Sequence, residues 1–558
     1  MLLSAAVPLL AASAKKNVML IMVDDLRPQL SGYGPIPRLH GEELMGTPAM
    51  DALAAEGTTF ERAYCAVPVC GASRLSLFTG SRPYKEPGQN WGRHWSYSSR
   101  LDVEDQGTPA GVNHPGVTLP QHLKDHGYKM YSIGKVYHNQ ADDAAVWDEL
   151  NKEQHPWRDV PAYTIGVGDK NRDEAFPDGR NASAVIEHLE ELKDEPFFYG
   201  VGFPRPHLPF DAPKKYWDLY PEESIELPPN YAEPKKAPRR SMHNWGELRN
   251  YSGLVFEDDS EERLDPDYAR TLIRGYYASV SYVDAQIRRI VDALKTTYDA
   301  QGVALYDKTI IVLWGDHGYN LGEHSLWAKH ALYNTSTQVP LVIRDPDMGQ
   351  GKRVQSLVET VDLYPTLCDL AGLGRPAPAV DNDGSMFNLH GSSLIPLMKD
   401  PDAPWKPAAY TRYELGDSVR TERYAYTEFT NVQDEVVETM LYDLKYDPQE
   451  NYNIVAYNPE LQERLSQLLG EGPAGKRDAW RALVDEERDN APLAEPLDLP
   501  QPRYPQDYFE TLGEYAGTAA ELAPLALLPA KAGTPAASAR SDLKSRLDRD
   551  YAGAAVGQ

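Results

Sequence analysis

Two hydrophobic patterns alternate along most of the chain. Val18-Met19-Leu20-Ile21-Met22-Val23 and Thr309-Ile310-Ile311-Val312-Leu313-Trp314 are short apolar runs without polar interruption. A run of this length and continuity predicts a strand covered on both faces, as in the interior of a parallel sheet. Other stretches repeat every three or four residues. Residues 268–295 carry Ile273, Tyr276, Val280, Val283, Ile287, Ile290 and Leu294 at that spacing, which predicts one long helix with a single buried stripe. Thr47-Pro48 opens a shorter helix that Gly57 ends, with a capping threonine and a first-turn proline where helix starts favour them. Thr118 to His126 predicts another, closed by Gly127 ahead of a strand over Tyr128 to Ile133. Strands alternating with helices predict an α/β fold built on a large, mostly parallel sheet sandwiched by helices.

The pattern changes near Ala403-Pro404. Tyr424-Ala425-Tyr426-Thr427-Glu428-Phe429 and Met440-Leu441-Tyr442-Asp443-Leu444 alternate with a period of two, predicting a smaller antiparallel sheet with a hairpin between them. The expected divisions are an α/β domain over 15–402, a C-terminal subdomain over 403–470, and an extended arm and partly disordered tail over 471–558. The tail expectation rests on the proline-rich 491–505 and alanine-rich 517–558 segments. Residues 1–14 read as a signal peptide ending Ala12-Ser13-Ala14, so export to a secreted, periplasmic or lysosomal location is expected. No other stretch is apolar for long enough to span a bilayer, so no stable membrane insertion is expected.

Charge narrows the function. The 558 residues hold 56 basic and 83 acidic side chains, a net charge of -27 that argues against nucleic acid or an anionic membrane surface as partner. An anionic substrate would therefore need a local basic pocket. The three cysteines, Cys65, Cys70 and Cys368, have no spacing that implies a disulfide, and Cys65 and Cys368 read as buried thiols. Both apolar runs end in ionisable residues, Asp24-Asp25 in one and Asp316-His317 in the other. Parallel strands end on one edge of their sheet, where such folds place their sites, so these four can converge. A single aspartate there is more often a cap or turn residue. Three carboxylates together repel unless a cation lies between them; they favour Ca²⁺ or Mg²⁺, while the imidazole leaves another divalent metal open.

Cys70 begins Cys70-Gly71-Ala72-Ser73-Arg74. A lone cysteine is usually a small buried hydrophobe, but this pentapeptide resembles the maturation signature of type I sulfatases, members of the alkaline phosphatase superfamily. Within that family the likeness is to the iduronate-2-sulfatase group. It is carried by Val23-Asp24-Asp25-Leu26-Arg27-Pro28, Gly134-Lys135-Val136-Tyr137-His138, Pro206-His207-Leu208-Pro209-Phe210, Asp316-His317-Gly318 and Trp327-Ala328-Lys329, with further matches spread over about residues 17 to 455. The chain departs at Ser81, where relatives often carry a second arginine.

The resemblance implies a sulfatase that hydrolyses sulfate esters of a sulfated carbohydrate. It implies that a formylglycine-generating maturation enzyme oxidises Cys70 to formylglycine, whose hydrate attacks sulfur and later expels sulfate by C–O cleavage. Asp24, Asp25, Cys70, Asp316 and His317 would surround the metal, Ca²⁺ first. Arg74 would help hold the nucleophile, Lys135 and Lys329 would bind the sulfate oxygens, His138 would bind or deprotonate the diol, and His207 would protonate the leaving alcohol. Arg205 could add to the basic pocket. Residue by residue, blander readings stand: Lys135 and His138 on an exposed face, His207 as a rigid turn between Pro206 and Pro209, Lys329 on a solvated surface. His114, His122, His126 and His324 read as solvated or structural. Two other functions remain open at this point: a phosphomonoesterase, phosphodiesterase or phosphonate hydrolase of the same superfamily, and a pseudoenzyme that binds sulfated glycans without turnover.

Overall fold

The computed structural model describes residues 15–30, 45–82, 117–138, 143–151, 159–259, 261–380, 386–387, 389–431, 433, 435–471 and 497–515. The expected signal peptide, His114 and most of the expected tail lie outside them.

A nine-stranded sheet forms the centre. Its strands in chain order are β1 (Asn17–Val23), β2 (Thr58–Tyr64), β3 (Lys129–Gly134), β4 (Glu149–Asn151), β5 (Phe197–Phe203), β6 (Thr309–Gly315), β7 (Gln338–Val339), β8 (Leu341–Arg344) and β9 (Lys352–Glu359). β1 lies between β5 and β6 and is parallel to both, and β3 and β4 continue the parallel set beyond β5. β8 is antiparallel to both β6 and β2, so those two strands run the same way. Consequently the C-terminal ends of β1, β2, β3, β5 and β6 all reach one edge of the sheet.

Every residue of β1, β5 and β6 is buried, as continuous apolar runs require. Alternate residues of β1 serve opposite layers. Met19, Ile21 and Val23 join the core formed with helices Pro48–Glu56 (α1), Pro177–Leu192 and Pro266–Thr296, whereas Val18, Leu20 and Met22 join the one formed with Cys70–Thr79 (α2) and Leu119–Asp125. The seven residues of the predicted stripe are all buried in the long helix. That helix starts at Pro266 because the Asp265 side chain accepts the amides of Asp267 and Tyr268, each at 3.0 Å. No helix among the described residues is long and apolar enough to cross a membrane.

The C-terminal unit is a four-stranded antiparallel sheet, Ala408–Tyr413, Gly416–Thr421, Tyr424–Thr430 and Val436–Asp443, paired in chain order. Helices Pro459–Glu471 and Tyr508–Tyr515 cover one face, with Leu461, Leu465, Leu469, Tyr508 and Leu512 packed on Tyr424, Tyr426 and Leu441.

Two glycines let the strand ends close up. A Cβ on Gly202 in β5 would lie 2.0 Å from the Lys135 carbonyl carbon, and one on Gly134 would lie 2.1 Å from the Gly202 oxygen. Gly134 also has φ +71°, which disfavours other residues. Because these neighbours are backbone, they cannot rotate away, and Lys135 follows directly on this contact. Gly202→Ala is expected to destabilise the protein by about 1–3 kcal/mol through overpacking in a denaturant melt. Gly374→Ala, with nothing within 4 Å of its Cβ, is expected to leave stability unchanged.

Candidate active site

Each predicted site residue can be located on the common edge or in the loops above it. Asp24 and Asp25 follow β1, Lys135 and His138 follow β3, His207 follows β5, and Asp316 and His317 follow β6. Cys70 is the first residue of α2, which starts beyond β2. Lys329 arrives from a loop: Trp327–Ala328 pairs antiparallel with Asn320–Leu321 and returns the chain toward His317. Positive φ angles at Ala328 (67°) and His330 (71°) bend the backbone sharply on either side of Lys329.

The acidic groups are held by fixed cations. Arg74 donates from Nε to Asp316 Oδ2 and from NH2 to Asp24 Oδ1, both at 2.9 Å. Lys135 donates to the other oxygen of Asp24, while Arg74 NH1 also reaches the backbone oxygens of Lys135 and Val136. Lys329 Nζ lies 2.9 Å from Asp25 Oδ1, and the Asp25 amide donates to Asp316 Oδ1 at 3.1 Å. His317 Nδ1 faces its neighbour's backbone oxygen, that of Gly318, at 2.9 Å, which turns Nε2 inward to 3.2 Å from the Cys70 sulfur. Asp24, Asp25, Arg74, Asp316 and His317 are fully buried and Lys329 is 2% exposed, which excludes the solvated-surface reading of that lysine.

Four potential ligand atoms, one each from Asp24, Cys70, Asp316 and His317, lie within 4.8 Å of one another, and so do four from Asp24, Asp25, Cys70 and His207. In the first group, carboxylate oxygens with one imidazole nitrogen, all buried, fit a hard divalent cation.

The three cysteines show what this environment does. Burial pushes the Cys65 thiol well up and the Cys368 thiol to about 12. Burial and the Asp24 charge also oppose ionisation of Cys70, yet Lys135, Lys329 and His317 outweigh them and bring it down to about 7. Asp24 works against burial too, and the Lys135 and Arg74 charges hold it well below the usual carboxylate range. Burial raises Asp316 to about 7, whereas the surrounding anions, Asp316 foremost, overcome burial and lift His317 to about 10.

Comparison with known proteins places this geometry. The sulfatase family model matches residues 16–373, and the model for the C-terminal region of N-sulphoglucosamine sulphohydrolase matches residues 322–471. The chain belongs to the sulfatase family. A sulfatase from Formosa agariphila is 31% identical over 467 residues, covering 79% of this chain and 83% of that protein. Human iduronate 2-sulfatase is 29% identical over 546 residues, covering 81% and 93%. A solved structure holding D-glucosamine-2-N,6-O-disulfate as its substrate shares the fold, with a TM-score of 0.61, 21% identity, and coverage of 85% of this chain and all of that one. As a sulfatase the protein is a sulfuric ester hydrolase.

Around this sulfatase centre, two predicted residues sit differently from the rest. His138 is exposed at the rim, outside the buried cluster. Arg205 does not enlarge the basic pocket: it is 3% exposed, pairs with Asp211 at 3.0 Å and donates to the His207 backbone oxygen at 3.2 Å, so it braces the His207 turn. Glu247, which no motif flags, lies 2.8 Å from Lys329 Nζ and 2.9 Å from His207 Nε2. A lone glutamate in a polar loop carries no sequence signal of such a place. Despite burial, the charges of Lys329 and His207 hold its carboxyl well below the usual range.

Removing one member of a buried ion cluster leaves its partners uncompensated. Asp24→Asn is expected to cost about 3 kcal/mol at neutral pH, measured by denaturant unfolding without added metal. Because the folded pKa of Asp24 is depressed, its contribution is present above the ordinary aspartate pKa of about 4 and is lost as pH falls through the folded value. The gap between wild type and variant is therefore expected to narrow on strong acidification.

Proposed function

We propose that the protein hydrolyses sulfate esters of sulfated glycans, uronic-acid-containing sugars among them, through an oxygen nucleophile made by oxidising Cys70 to formylglycine. The observation that carries this reading is the setting of Cys70: it opens a helix, contacts His317, and alone among the three cysteines has its thiol pulled down by surrounding cations. Backbone amides at a helix start favour an incoming anion. The names of the iduronate 2-sulfatase and of the glucosamine-disulfate complex support a sulfated sugar as substrate class.

Asp24, Asp25, Asp316 and His317 would hold a divalent cation beside residue 70, calcium first, with magnesium or another divalent ion as alternatives. Such an ion, when bound, supplies positive charge that acidifies and polarises neighbouring oxygens. The chain's own side chains do the rest. Arg74 fixes Asp24 and Asp316 in place, and Lys135 and Lys329 present charge to the non-bridging sulfate oxygens as the transition state forms. His207 gives its proton to the leaving alcohol oxygen, and His138, exposed after β3, would bind or deprotonate the diol of residue 70. Cys70 would be converted by a maturation enzyme, and the expected leader over residues 1–14 would send the protein out of the cytoplasm.

Kinetics on matched aryl sulfates and aryl phosphates test the reading. The matured full-length protein is expected to prefer the sulfate, and Cys70→Ala is expected to fall to the background rate while its circular dichroism and thermal midpoint stay near wild type. A clear phosphate preference moves the protein to the phosphoester branch of the superfamily. Undiminished turnover by Cys70→Ala removes the nucleophile.

A further inference from the structure

We propose that Glu247 is a positioning residue that fixes the ring of His207, the proton donor of the proposed reaction, beside the sulfate pocket, an inference that rests on the sulfatase reading above. His207 Nδ1 lies 2.6 Å from the Leu208 backbone oxygen, and Nε2 lies 2.9 Å from Glu247 Oε1. The ring is thus held by a backbone oxygen on one nitrogen and a carboxylate on the other, which fixes its plane. The ring is braced from behind as well, since the His207 amide donates to Pro204 O at 3.0 Å and Arg205 grips its carbonyl.

Glu247 is itself fixed. Its turn is anchored by the Trp245 indole donating to Ser325 O at 2.8 Å and by Arg249 Nε donating to Asn244 O at 2.7 Å. Its Oε1 also takes the Lys329 ammonium, while its buried Oε2 makes no hydrogen bond and lies 3.7 Å from His330 Nδ1. One oxygen thus aligns two groups assigned to the reaction. An arriving sulfate ester offers both of them new acceptors: its non-bridging oxygens for Lys329 and its ester oxygen for His207. As the nucleophile's oxygen bonds to sulfur and the bond from sulfur to the ester oxygen breaks, the bonding pair stays on that oxygen and takes the Nε2 proton. The contact of Nδ1 with Leu208 O keeps the ring in place, and solvent restores the proton given up.

An acid held this way matters most when the leaving oxygen is basic. The test uses matured full-length protein on a series of aryl sulfates, from p-nitrophenyl to phenyl to p-methoxyphenyl sulfate. Glu247→Gln is expected to lose roughly 100-fold in kcat on the basic leaving groups and under about tenfold on p-nitrophenyl sulfate, with Glu247→Asp recovering part of the loss. His207→Ala is expected to show the same selectivity, and the double variant Glu247→Gln/His207→Ala to be no worse than His207→Ala. Equal losses across the series, or full additivity in the double variant, overturn the proposal. Should Glu247→Gln fail to fold, the slope of the Glu247→Asp series against leaving-group basicity decides in the same way. A wild-type protein inactive on every sulfate overturns the sulfatase reading, and this proposal falls with it.

Discussion

Asp24 is gripped from two sides, by Arg74 on one oxygen and Lys135 on the other, and is fully buried. A carboxylate taken out of water this completely costs several kcal/mol unless excellent partners meet it. Those partners come from separate parts of the chain: Arg74 from the helix after β2, Lys135 from the end of β3. The clamp therefore exists only when the parallel strands are stacked in register and the sheet edge is complete. Gly134 and Gly202 serve the same end, because their missing side chains let β3 and β5 approach closely enough to set Lys135 against Asp24. Stability and site are one construction here. The charges that make the edge useful are also those that would make it intolerable if any strand were displaced.

Chemical reactivity follows from this balance rather than from residue type. Cys65, Cys70 and Cys368 are all free and all buried, yet only Cys70 faces Lys135, Lys329 and His317. The same concentration of positive charge answers the problem set by a net charge of -27. Under the proposed function, a sulfated substrate repelled by the molecule at large would be met by Lys135, Lys329 and His207 at the strand ends. Electrostatic discrimination of this sort is strongest where water is excluded.

The strands that carry the site were legible because a doubly covered strand has to be apolar throughout, and an apolar run ending abruptly in two ionisable residues is conspicuous. The long helix was equally plain from its stripe. Lys135, Lys329 and His207 were visible only through resemblance to sulfatases, since a lysine or histidine in a loop has no periodicity to mark it. Lys329 depends on two left-handed residues and a short hairpin that no local pattern announces. Glu247 was invisible for the same reason, and Arg205 was misleading: its charge belongs to Asp211 and to the His207 backbone. In the C-terminal sheet, the runs at 424–429 and 440–444 were expected as strands. Ala408–Tyr413 and Gly416–Thr421 were not, because several of their polar residues, Thr411, Arg412, Ser418 and Arg420 among them, are buried and blur the alternation.

The account stands on the claim that the three carboxylates and His317 are gathered to hold a cation next to residue 70. An anomalous-scattering map from crystals of the matured protein grown with calcium tests it most directly. The expected result is a single strong peak about 2.3–2.6 Å from oxygens of Asp24, Asp25 and Asp316, with His317 Nε2 and residue 70 completing the shell. A peak elsewhere, or an edge in which Arg74, Lys135 and Lys329 alone neutralise the carboxylates at saturating calcium, would contradict it.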